Sequence, residues 1–220
     1  MQDKAQFRLR AHEVSRIEAF SDIVFGFALT LIVVSLEVPK SYDELMHEMR
    51  GFLGFAICFA VLMWIWHEHY TFFRRYAMTD VYTIVINMML LFLVLYYVYP
   101  LKFIFSIVTR AIEPGGGNGA ILFTIYGLGF AGIFSLLLLL YLHAWHRRED
   151  LQLTEYEVHD TQTSMWLYAA YVAVGILSTL IAVVLPPRWL GFAGWTYFLL
   201  GPISAVIGAK RGAQRRLLDQ

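Results

Sequence analysis

The sequence predicts an all-α membrane protein with six transmembrane helices per subunit. Three observations carry that expectation. Apolar residues make up 59% of the 220-residue chain and charged residues only 15%, far from the balance of an ordinary soluble domain. The apolar residues gather into six segments, the last four of them near the ~20 residues that a helix rising ~1.5 Å per residue needs to cross a bilayer's hydrocarbon core, the first two shorter. The first of these segments keeps a carboxylate, Asp22, inside the span.

That first segment organises the rest. No charge occurs from Ile23 to Leu36, but this run is shorter than a crossing, so the helix is expected to reach back over Asp22 and Ser21 toward Arg16. An ionised group costs roughly 2.5 to 3.5 kcal/mol near the bilayer centre and less near an interface, so Asp22 should face protein or water and mark function. At about 100° per residue, Phe27, Leu31 and Val34 share a narrow stripe, with Phe20 below them and Thr30 at the flank. Asp22 lies roughly 140° from Phe27, on the face that also carries Glu18. The stripe suits lipid, another subunit or a pore, whereas the acidic face must find donors.

Residues 42–50 read as a charged helical lead into the second span, which begins at Gly51. Its uncharged run stops at Trp66, short of a crossing, so the helix should continue through His69. The remaining spans are expected at 81–101, 120–145, 165–185 and 190–209. Between the third and fourth, the glycine-rich stretch 113–119 reads as a flexible loop and lacks the Lys-Ser/Thr of a phosphate loop. The single cysteine, Cys58, excludes an intrachain disulfide and a Cys-rich metal site.

Residues 1–15 are polar, have no apolar core and do not read as a signal peptide. They form an expected N-terminal tail, with 16–209 as the membrane domain and 210–220 as a C-terminal tail. Six spans place both termini on one side. The basic clusters within 4–16, 74–75, 147–148 and 210–216 fall on that side, which the positive-inside rule assigns to the cytosol of a multi-pass cell-membrane protein. The formal net charge is zero, with no basic surface to suggest a nucleic-acid partner. The lipid bilayer is the expected partner.

Three motifs narrow the reading. Arg16-x-x-x-Phe20-Ser21-Asp22 opens the first helix, Trp66-x-x-His69-x-x-x-Phe73 ends the second, and Asn87-Met88-Met89-Leu90-Leu91 leads to Pro100 in the third. In this order they resemble the signatures of the transmembrane protein 175 family of potassium channels, whose prokaryotic members have six helices and one repeat. No internal repeat is visible here, which suits a single-repeat subunit. Beyond Pro100 the resemblance is only a compatible pattern of hydrophobic segments.

The resemblance implies a homotetramer with the first helix lining a central pore. Phe27, then Leu31, then Val34 would form stacked hydrophobic constrictions spread over ~10 Å of helix, excluding ions by dewetting. Thr30 would flank the pore and assist selectivity, although a hydroxyl here also suits a bond back to its own helix. The family usually has Ile or Leu at the first constriction. Four Phe27 rings would close the pore, swing aside or offer their faces to a cation.

Arg16, Phe20, Ser21, Asp22, Trp66, His69 and Asn87 are the expected network that holds the pore helix, with Trp66 and His69 as donors to Asp22. The stretch 124–129 has a faint likeness to the carbonyl filter of ordinary potassium channels, but it lies in a continuous apolar span and reads as a glycine packing surface. His67, His69, His143 and His146 sit near helix ends, and paired histidines can ligate haem or a metal. No further ligand type accompanies them, so no metal, cofactor or catalytic residue is expected, only a permeating potassium ion. The competing readings are a transporter or proton pathway using Asp22 and Glu18, and a histidine-ligated redox protein.

Overall fold

A computed structural model describes residues 7–11, 13–34, 40–110 and 119–218. The expected end of the first span at 37–39 and the glycine-rich loop at 113–118 lie outside the described residues. The chain folds into helices α1 (Arg16–Val34), α2 (Tyr42–Tyr76), α3 (Val81–Arg110), α4 (Gly119–His146), α5 (Glu155–Val184), a short α6 (Gly191–Trp195) and α7 (Leu200–Leu218). The architecture is all-helical, with no strand among the described residues. Five stretches, in α1, α3, α4, α5 and from α6 through α7, are long and apolar enough to cross a membrane. The charged lead at 42–50 is continuous with the second apolar segment, giving a single helix of 35 residues.

Two helix starts are fixed by reciprocal caps. Glu18 N donates to Ser15 Oγ at 3.2 Å while Ser15 N donates to Glu18 Oε2 at 2.8 Å, satisfying two backbone donors at the head of α1. Thr154 and Glu157 repeat the device at the head of α5. This cap is why α5 begins at Glu155, well before the apolar run that starts at Met165.

The sixth segment departs from the single helix expected over 190–209. A 3-10 turn at Thr196–Leu199 separates α6 from α7. Pro202 supplies the reason: it has no N–H for the Phe198 carbonyl, and its ring crowds that carbonyl. The chain tightens instead, and the Ala193 carbonyl accepts from both Thr196 Oγ1 at 2.7 Å and Ser178 Oγ at 2.8 Å. Beyond the break α7 continues to Leu218, so residues 210–218 prolong a helix where a tail was expected.

The core is a continuous aromatic and aliphatic cluster from α1 to α5, with Phe72, Phe73, Tyr76, Phe134, Tyr141 and Tyr168 fully buried. The tightest seam is between α4 and α5. A Cβ on Gly175 would stand 3.0 Å from the Ala131 N and Gly127 O backbone atoms, so glycine here lets two backbones approach. Gly127 faces the same seam, and Gly129 abuts the Tyr97 ring; the stretch 124–129 is thus helix-packing surface. Gly175→Val is expected to cost about 1–3 kcal/mol through overpacking, read as a lower melting temperature in detergent. Gly201→Ala, with nothing within 4 Å of the added carbon, should leave stability unchanged or slightly higher.

Residues 7–11 run as a strap across one end of the bundle. Arg10 N donates to the Arg74 carbonyl at 3.1 Å, and the Arg74 guanidinium donates to the Ala11 carbonyl. Phe7 meets Tyr76 edge-on at 5.5 Å. Arg8 and Arg10 converge on Glu157, whose side chain is 1% exposed, at 3.1 and 2.8 Å. The carboxylate that caps α5 therefore also fixes the strap that leads into α1. Glu157→Gln should loosen both, costing roughly 1–2 kcal/mol because Arg8 is itself largely solvated. Faster amide exchange at residues 8–11 would register it; unchanged exchange would mean the strap is held by its backbone bonds alone.

Candidate functional site

Helix α1 packs against α2 and α3 and buries one stripe: Glu18, Ser21, Phe25, Ala28 and Ile32. Their three- and four-residue spacing is the seam of a helix that faces its own bundle on one side only. On the opposite side a second stripe repeats the same spacing and stays exposed: Phe20 at 56%, Ile23 at 57%, Phe27 at 63%, Leu31 at 38% and Val34 at 74%. Among the described residues of one subunit, no helix covers these apolar side chains.

Two polar connections tie α1 to its neighbours. Asn87 Nδ2 on α3 donates to Ser21 Oγ at 3.0 Å, and Ser21 donates onward to the Ile17 carbonyl at 2.7 Å. His69 Nε2 on α2 lies 2.7 Å from Asn87 Oδ1. Because the Asn87 amide nitrogen is turned to Ser21, its oxygen must accept, so the His69 proton sits on Nε2. All three residues are buried, and the chain links α2, α3 and α1 in one line. The second connection is direct: Trp66 Nε1 donates to Asp22 Oδ1 at 2.8 Å. Trp66 is held by stacking on Tyr70 at 5.5 Å.

The arrangement differs from the expected network in two places. His69 donates to Asn87 where Asp22 was the expected acceptor; Asp22 lies at the edge of the buried stripe, on the side of Trp66. Arg16 and Phe20 take no part in these bonds among the described residues. Both are exposed, because they sit on the outward side of α1, away from Ser21.

Thr30 Oγ1 donates to the Gly26 carbonyl at 2.8 Å, the local bond open to any helical hydroxyl. The residue is exposed in the subunit. Glu18, the other carboxylate on the side of Asp22, is engaged as the α1 cap.

The other helix-end histidines have partners of their own. His143 Nε2 stands 2.9 Å from Asp80 Oδ2, and His146 Nδ1 stands 2.7 Å from the Leu142 carbonyl. Asp80, in the turn before α3, also accepts from the Thr83 backbone N–H at 3.4 Å, which caps that helix, and from Thr83 Oγ1 at 2.7 Å. Burial alone would raise its pKa, but the bonds from Thr83 and His143 outweigh it and hold the carboxyl below its ordinary value. Sequence reasoning also passed over Glu68, which accepts from Tyr168 at 2.6 Å and from Trp64 at 3.0 Å. The Trp64 bond is local, four residues back along α2, but nothing in the sequence announces the bond from Tyr168, since that donor lies on α5.

A helical bundle with several membrane-length apolar helices, the first of them anchored along one face and bare along the other, defines a multi-pass membrane protein. Comparison with known proteins makes this specific. A family described as the endosomal/lysosomal potassium channel TMEM175 matches residues 16–97, the part of the chain that carries all but the last residue of the three motifs. A potassium channel of Marivirga tractuosa is 37% identical over 234 residues, covering 97% of this chain and 94% of the relative. The crystal structure of the potassium channel MtTMEM175, a variant in complex with a nanobody–MBP fusion, superposes with a TM-score of 0.82 at 35% identity, covering 96% of this chain and 98% of that one. A lysosomal potassium-selective TMEM175 homologue from Chamaesiphon minutus shares the fold at a TM-score of 0.53 and 24% identity, over 84% of this chain and 96% of that one. The chain belongs to the TMEM175 family of potassium channels.

Proposed function

We propose that this chain is the subunit of a homotetrameric potassium channel in which four copies of α1 surround a common axis. The observation that carries the proposal is the bare stripe of α1. Its partner-facing side is fully used, its other side is apolar at helical spacing, and the anchoring bonds all lie on the used side. Around a four-fold axis, Phe27, Leu31 and Val34 form three hydrophobic rings along ~10 Å of helix. An ion passing them sheds water without receiving oxygen ligands, so the rings act as gate and filter by dewetting. Thr30, beside the rings, offers a hydroxyl oxygen to a partly dehydrated cation. The network of Ser21, Asn87 and His69, with Asp22 and Trp66, sets the rotation of α1 and hence which side chains meet the axis.

Six crossings complete the subunit. The 35 residues of α2 span about 50 Å, enough for a crossing and an extramembrane lead, and add the sixth to the five apolar stretches. The strap arginines, Arg74, Arg75, Arg147, Arg148 and Arg211 share one end of the bundle, as their bonds to one another's neighbours require. The positive-inside rule makes that end, with both termini, cytosolic in a cell membrane.

The test is recording from the purified full chain in a planar bilayer under opposed potassium and sodium gradients. An ohmic cation current whose reversal follows the potassium gradient is expected. Saturating, coupled flux without such a current would place the chain among transporters instead.

A further inference from the structure

At the same end of the bundle, away from α1, a groove of about 590 Å³ opens between α5 and α7. It is lined by His159, Gln162, Trp166, Ile207, Lys210 and Arg211. The lining is cationic: it includes two basic side chains and a histidine and no carboxylate. Asp160, the acidic residue beside it in sequence, is turned to Arg75 at 3.0 Å. Arg211 is held toward the groove by a 3.3 Å bond to Gln162 Oε1. His159 is part of the lining, while its Nε2 is shielded from solvent and has no hydrogen-bond partner among the described residues.

The groove does not end at its polar walls. Gln162 and Trp166 also line a second depression of about 420 Å³ on the α4 side of α5, whose other walls include Leu138, Leu142, Met165 and Ala169. A cationic recess is thus continuous with an apolar trough across Trp166, which is 62% exposed.

The level of this feature in the bundle is set by the sequence. Along α5 the residues change from polar at 159–164 to apolar at 165–184, and along α7 they change from apolar at 203–207 to basic at Lys210 and Arg211. Both changes meet at the groove, with a tryptophan at the boundary, as side chains do at the level of lipid headgroups. Cationic recesses between membrane helices on the cytosolic side are suited to phosphate-bearing headgroups.

We infer that this groove is a binding site for an anionic glycerophospholipid. Its phosphate meets Lys210 and Arg211, and one acyl chain lies past Trp166 in the trough along Leu138, Leu142 and Met165. The site is remote from the bare stripe of α1 and does not depend on how ions cross.

Native mass spectrometry of the delipidated full chain, offered phosphatidylglycerol or phosphatidylcholine of equal chain length, tests the inference. Wild-type protein should retain phosphatidylglycerol in clear preference, and Lys210→Gln should lower that preference roughly fivefold, with a like loss for Arg211→Gln. Arg188→Gln, a basic residue outside the groove, should leave it unchanged. Trp166→Ala should weaken retention of both lipids. Inorganic phosphate in millimolar excess should fail to displace the bound lipid; complete displacement would make this an anion site with no lipid specificity. Equal retention of the two lipids by wild-type protein, or an equal loss in Arg188→Gln, would overturn the assignment. So would a change in subunit stoichiometry in Lys210→Gln with lipid preference intact, since the groove would then seat another copy of the chain.

Discussion

Phe27→Ala should raise potassium current through the reconstituted protein by about tenfold. In the proposed tetramer Phe27 is the innermost ring, and its phenyl group is the bulkiest side chain of the three constrictions. Shortening it to a methyl widens and wets the narrowest part of the path, and each 1.4 kcal/mol removed from a barrier is a factor of ten in rate. The side chain makes little contribution to the fold of one subunit, since it is 63% exposed, so stability should hardly change. The measurement is single-channel conductance and open probability in symmetric potassium. Unchanged current with unchanged selectivity would remove Phe27 from the conduction path.

Asn87→Ala should be the most damaging single change in the anchoring network. It leaves the His69 Nε2 proton, on a residue only 1% exposed, without an acceptor, and it takes away the amide that links α3 to Ser21. An orphaned buried donor costs about 1–3 kcal/mol, and water is scarce at this depth to repair it. Thermal unfolding in detergent should show the loss, and α1 should lose its fixed rotation, broadening conductance levels if it lines the proposed pore. Because the penalty comes from the unpaired group more than from the lost bond, His69→Phe with Asn87→Leu should recover much of the stability. A double variant no better than Asn87→Ala would mean the network acts through shape alone.

How much of this was legible in the sequence depends on the kind of interaction. Apolar runs of membrane length announce themselves, so the helices were readable, as was the exposed stripe, whose side chains follow from 100° per residue. The partner of Asp22 was readable because Trp66 closes the uncharged run of the returning helix. That His69 would choose Asn87 was not, since it depends on which face of α3 meets α2. The two capping boxes, Ser15-x-x-Glu18 and Thr154-x-x-Glu157, were present as a local pattern; assigning Glu18 to an acidic face overlooked the nearer donors at its own helix start. The double use of Glu157, cap and anchor for Arg8 and Arg10, joins residues about 150 apart in sequence and leaves no local trace. The break before α7 had a local sign in Pro202, masked by an apolar run that otherwise looked like one span.

The central claim is that the bare face of α1 meets water and ions. Cysteine modification tests it most directly, on a Cys58→Ala background that removes the native thiol. With a cationic methanethiosulfonate reagent, Leu31→Cys should be modified from the aqueous phase and its potassium current altered irreversibly. Val33→Cys, 51% exposed in the subunit but about 120° from Phe27, should stay unreactive in lipid. Rapid modification at Val33 with none at Leu31 would put another helix at the axis and contradict the account.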